Sequence, residues 1–162
     1  MRRSETREGR GRLRGTSGAK KAVRRRDWQS VWREKAQELV PEEYRSAAAY
    51  GENQNPMRVF FEVLPAVREA HRAGDDAKLK AIYAFAAWCY AQPEKDISNA
   101  AGVAFYEHLF DSRDKDIWPL VMPYIGPSQW QMVLALHEVQ LNDEDLKGLL
   151  QLRAQHVSGS DW

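Results

Sequence analysis

The chain holds 162 residues, of which 43% are hydrophobic and 29% charged, with four histidines and one cysteine. That length fits one domain with a sizeable core, and no apolar run approaches the ~20 residues that a bilayer span needs. A lone cysteine forms no internal disulfide and the basic N-terminus has no apolar segment behind its charges, so the expected location is the cytoplasm.

The net charge of +1 hides an asymmetry. Residues 1–26 carry eleven Lys/Arg against two Glu, a net of +9, while residues 27–162 carry thirteen against twenty-one, a net of −8. The first segment is rich in Arg, Gly and Ser, with Leu13 and Val23 as its large apolar residues. It buries too little to offset the entropy of ordering, so a disordered basic arm is expected. Clustered arginines neutralise phosphates, which makes nucleic acid an alternative partner for this arm. No aromatic residue is interleaved to stack on bases.

From Asp27 the helical period takes over. Trp28, Val31, Trp32, Ala36 and Leu39 fall on one stripe, with Asp27 ahead of them. Pro41-Glu42-Glu43 starts a short helix running to about Tyr50. Residues 51–55 form a loop, and Asn55-Pro56 caps a helix to Ala73 with a stripe of Phe60, Leu64, Val67 and His71. Pro65 removes one ladder hydrogen bond, which predicts a kink or break. Gly74 stops this helix and Asp75-Asp76 caps the next.

The organising stretch is Leu79 to Phe110. Residues 82–91 contain no charge, and small Ala alternates with aromatics, which predicts a helix buried nearly all round. Pro93-Glu94-Lys95-Asp96 makes a turn with Asp96 as cap, and a second helix from Ile97 to Phe110 brings Ala100, Ala101, Gly102 and Ala104 against the first. On that helix His108 projects with Ile97, Ala101 and Ala104 into the apolar arc, and Glu107 lies at its edge.

Beyond a polar connector at 111–116, Ile117, Leu120, Val121 and Tyr124 give a stripe limited by Pro123. Ser128-Gln129-Trp130-Gln131 reads as a capping box for a helix with Trp130, Val133, Leu134 and His137 inside. Asn142 and the acids after it cap a last helix with Leu146, Leu149, Leu150 and Arg153, and the chain frays from about Val157. No stretch alternates with period two. The expectation is an all-α protein of about seven or eight helices, a compact bundle or a stack of helix pairs, spanning 27–157 between the arm of 1–26 and a frayed tail of 158–162.

About half of the acidic residues fall at expected helix N-termini, where they cap free amides and oppose the helix dipole. His71, His108 and His137 each fall on an apolar stripe. Three converging imidazoles suit zinc with an open position, which would make the chain a metal-dependent enzyme, but no metal-ligand spacing specifies this. Cys89, among aromatics and with no cation a helical turn away, reads as an inert core thiol. No phosphate-binding glycine loop or nucleophile motif is present. No catalytic, metal or cofactor residue is therefore assigned, and no cofactor is expected.

The residues Ile82-Tyr83-Ala84-Phe85-Ala86-Ala87-Trp88-Cys89, followed by Asn99-Ala100 and Phe105-Tyr106-Glu107-His108-Leu109, resemble an uncharacterised bacterial family of small helical proteins. The resemblance runs from about Leu64 to Pro127. Some members look like immunity or accessory proteins encoded beside secreted toxins, and no activity is established for them. It marks Asn99, Tyr106, Glu107 and His108 as interaction or structural-signature positions. Together these observations lead to a non-enzymatic protein-interaction module, cytoplasmic and immunity-like, whose acidic body binds a basic protein encoded nearby, with no membrane involved.

Overall fold

Asp27 opens the first helix as expected: its carboxylate accepts from the Gln29 amide at 3.1 Å. The computed structural model describes residues 27–51 and 54–159, so the expectations for the arm and for residues 160–162 lie outside the described residues. Eight α-helices follow: α1 (Trp28–Leu39), α2 (Pro41–Ala48), α3 (Pro56–Ala73), α4 (Asp76–Tyr90), α5 (Lys95–Ala104), α6 (Trp118–Val121), α7 (Pro127–Glu138) and α8 (Asp143–Gly159). Tighter 3-10 turns at Tyr106–His108, Ser112–Ile117 and Met122–Tyr124 link α5 to α7. No strand occurs among the described residues, and the protein is all-α.

The α4–α5 hairpin lies at the centre, with α3 packed on both its helices and α1 against α4. Four aromatic rings tie it together. Phe60 of α3 stacks on Phe85 of α4 at 5.2 Å and lies 5.7 Å from Phe105, which Tyr83 meets edge-on at 5.6 Å. Phe60, Phe85 and Phe105 are fully buried. Rings of this size bury roughly 150–250 Å² each, so this cluster dominates the core. The wrapping of α4 is less complete than its composition predicts: Ala84 is exposed and Trp88 half-buried, leaving a narrow strip open.

Several local expectations are corrected. Pro65 sits inside an unbroken α3. Pro65 and Phe61, the residue whose carbonyl it releases from the ladder, are both exposed, on the side of a helix where water takes up such a freed bond. Conversely, α5 ends six residues earlier than expected, at Ala104. Phe105 takes φ −123°, ψ −68° to seat its ring in the core, and the tighter turn after it rotates every following side chain out of the α-helical register.

Asp96 is not a cap, because α5 begins at Lys95 and Asp96 stands in its first turn. The Ser128 capping box does not form either. Pro127 starts α7 two residues early, placing Ser128 inside the helix, where its hydroxyl donates to Gln129 Oε1. Between them, the mixed 3-10 and α segment breaks the 3.6-residue period. Trp118 and Met122 are buried there, while Leu120 of the expected stripe is exposed. The last helix continues through Ser158 to Gly159, past the expected fraying point. Its start is capped by Asn142, which accepts from the Asp145 amide at 2.9 Å.

The acidic residues divide between two tasks. Asp75 caps α4 by accepting from the Lys78 amide. Glu42 and Glu43 instead hold Lys78 at 3.0 Å each, tying α2 to α4, and Asp145 joins α8 to Ser112 and Lys115 of the connector.

Candidate functional site

The sequence signature lands on a turn that is built rather than exposed. Arg68 of α3 reaches across to it, with Nη2 2.7 Å from Asp111 and 3.4 Å from the His108 carbonyl, and Nε 2.8 Å from Asp114. One turn further along α3, Arg72 pairs with Asp114 and Asp116 at 2.9 Å each. Two arginines at i and i+4 thus clamp three aspartates, fixing how the segment after α5 leaves the hairpin. The fork of a guanidinium suits this, because one group can bridge two carboxylates. The pairing holds the Asp116 carboxyl below the usual carboxylate range, chiefly through its hydrogen bond to Arg72.

The four signature residues are not brought together. Tyr106 is buried, edge-on to Tyr90 at 5.7 Å and to Phe105 at 5.3 Å, and burial pushes its hydroxyl pKa well up. Glu107 is half-buried and accepts from Gln140 beyond α7. His108 is not in the apolar arc. Its side chain is 43% exposed, with Nδ1 3.5 Å from Asp111 Oδ1, because the 3-10 turn has rotated it outward. Asn99 is exposed on α5, apart from the other three.

Nor do the three histidines form a centre. His71 is buried with Nε2 2.9 Å from the Tyr83 hydroxyl, flanked edge-on by Tyr83 and Tyr124, and burial lowers its pKa to about 4. His137 is fully buried against Phe110, with Nδ1 2.8 Å from the Val133 carbonyl. The Phe110 amide donates to its Nε2 at 3.3 Å. Among the described residues, no group of three His, Cys, Asp or Glu is placed to hold a metal ion. Cys89 is buried, which drives its thiol pKa up, away from nucleophilic chemistry.

The surface offers two open recesses that share Asn99. One lies where the first turns of α1, α3 and α5 meet, about 390 Å³ and lined by Gln29, Asn55, Met57, Asp96 and Asn99. The other is a groove of about 430 Å³ between α5 and α7, with Tyr90, Val103, Met132 and Leu136 on its apolar walls and Ser98 and Asn99 on its rim. Tyr90 is 41% and Val103 49% exposed, and a Cβ on Gly102 would sit 4.0 Å from the Tyr90 ring. Tyr106 thus acts on the surface indirectly, as the ring supporting Tyr90. Periodicity did not reveal this groove, since Val103 is one more apolar residue in an apolar helix. The Arg68–Arg72 clamp did leave a trace, two cations one turn apart facing aspartates in the next polar connector.

A small all-helical domain with an aromatic core and a clamped turn is the class that this geometry defines. The family model of a domain of unknown function, DUF7674, matches residues 31–138, and the chain belongs to that family. The match runs from the first turn of α1 to the end of α7 and takes in the clamp, the signature turn and the groove, while α8 follows it. No curated protein and no solved structure matches. No described helix is long and apolar enough to cross a membrane.

Proposed function

We propose that this chain is a non-enzymatic protein-interaction module whose acidic body receives a basic protein partner. The observation that carries this reading is how the charges are distributed. Arg68, Arg72, Lys78, Lys80 and Lys115 are each engaged by a carboxylate of the same chain. Meanwhile Glu69, Glu94, Asp96, Glu138, Asp143 and Glu144 stand exposed. Arg45, Arg58, Lys95 and Lys147 are exposed as well, but residues 27–162 carry thirteen Lys/Arg against twenty-one Asp/Glu, so the body's net field is negative and speeds encounter with a positive surface.

Contact then needs an apolar anchor, since rim charges raise on-rate and selectivity more than affinity. The groove between α5 and α7 supplies one in Tyr90 and Val103. The resemblance to immunity and accessory proteins supports a cytoplasmic neutraliser whose partner is encoded beside it. The deciding experiment is co-expression with the products of neighbouring genes, then titration of the isolated pair at increasing salt. A complex that weakens as salt rises is expected. A chain that stays partnerless in every combination, or a complex indifferent to salt, overturns the reading. Binding to nucleic acid that disappears with residues 1–26 would transfer the function to the basic arm instead.

A further inference from the structure

We propose that His137 is a proton-sensitive joint: neutral, it fastens α7 to the turn after α5, and protonated, it lets α7 go. Both ring nitrogens are used, and with opposite demands. Nδ1 faces the Val133 carbonyl at 2.8 Å, which requires a proton on that nitrogen. Nε2 faces the Phe110 amide at 3.3 Å, which requires a free lone pair there. The geometry therefore assigns the neutral, Nδ1-protonated ring. A second proton on Nε2 sets two N–H groups face to face and places a cation in a fully buried position.

The surroundings do little to soften that change. Among the described residues, the charged and titratable groups that act on the ring are Glu107 and His108 of the turn and Asp111 just after it. Asp111 is already held by Arg68 at 2.7 Å and Glu107 by Gln140. Burial outweighs them and lowers the His137 pKa below its ordinary value. The joint matters because α7 carries Met132 and Leu136, one wall of the groove. Release of α7 moves that wall away from Val103 of α5. His71 differs: its one described partner is a hydroxyl, which can donate or accept, so it makes no such demand on tautomer.

Amide hydrogen exchange of the full chain between pH 7.5 and 4.5, corrected for the chemical pH dependence of exchange, tests the proposal. Protection within α7 is expected to fall by about ten-fold or more relative to α4, the helix that touches His71. In His137→Gln, which keeps a donor and an acceptor but takes no proton, the ratio should stay constant. Parallel loss in α7 and α4, or the same difference in His137→Gln, overturns the joint. Should the variant not fold, the wild-type ring decides by ¹⁵N NMR. An Nδ1-protonated ring whose titration moves the α7 resonances supports the proposal, and the opposite tautomer or unmoved α7 resonances refute it.

Discussion

Arg68 and Asp114 meet at 2.8 Å across the gap between α3 and the connector, and both side chains are largely shielded from water, at 21% and 14% exposure. The same guanidinium holds Asp111 at 2.7 Å. Removing the arginine leaves half-buried Asp111 without its shortest cation contact and half-buried Asp114 with Arg72 alone. Arg68→Ala should therefore destabilise by about 1–3 kcal/mol, less than for a fully buried pair because water still reaches the site. Urea denaturation at pH 7 checks this, and a loss under about 0.5 kcal/mol would class the pair with ordinary surface bridges.

The aromatic cluster should respond more strongly. Phe105 is fully buried between Phe60, Tyr83 and Tyr106, so Phe105→Ala should cost about 3–5 kcal/mol. Trp88, for all its neighbours in an apolar helix, is half-buried, and Trp88→Ala should cost clearly less. Thermal melts of the two variants side by side give the order, and a reversed order would mean that α4 is rotated about its axis.

These differences show what the residue pattern carries and what it lacks. The helices and their central hairpin were legible because Ile82, Phe85, Ala86 and Cys89 repeat with the α period and are buried with it. The turn after α5 was not legible. Continuing that period through Phe105 places His108 inside, but one residue with non-helical dihedrals changes the register of all that follow. Pro65 does not break α3, because the cost of one lost ladder bond and a ring clash is smaller than what the packed face of an eighteen-residue helix holds. The clamp joins residues more than forty positions apart, and its charges read equally well as caps. The groove depends on how α5 and α7 are spaced, which no periodicity encodes.

Acid should weaken the fold through His71. Burial places its folded pKa at about 4, below the ordinary ~6.5 of the unfolded chain. Between those values the unfolded state takes up a proton that the folded state refuses. Stability is therefore complete above about pH 6.5 and falls as the pH drops toward 4, by roughly 3 kcal/mol for a shift of this size. His137 contributes in the same direction. Urea midpoints at pH 7.5 and 4.5 test this. His71→Gln should show a smaller drop between the two, and an equal drop would place the acid sensitivity elsewhere.

The outward turn of His108 makes a contrary prediction. With 43% of its side chain exposed and its ring 3.5 Å from Asp111, it holds little of the core in place. His108→Ala should change stability by no more than about 0.5–1 kcal/mol, whereas burial in the apolar arc would have made it costly. Denaturation of that variant beside Phe105→Ala measures the difference within a single turn.

The groove can be tested apart from the field around it. Val103 is 49% exposed on its α5 wall and faces water in the free protein, so Val103→Asp should leave stability within about 0.5 kcal/mol. A carboxylate there would have to be desolvated against any apolar group seated beside Tyr90. Binding of a partner anchored in the groove should then weaken by about ten- to a hundred-fold, or roughly 1.4–2.7 kcal/mol. Replacing Glu94 and Asp96 with Gln and Asn should act differently, slowing association and flattening the salt dependence while leaving the dissociation rate nearly unchanged. The added aspartate makes the body more negative, so simple attraction to a basic partner predicts tighter binding from Val103→Asp. Weaker binding places the contact in the groove, and tighter or unchanged binding places it on the charged faces of the other helices.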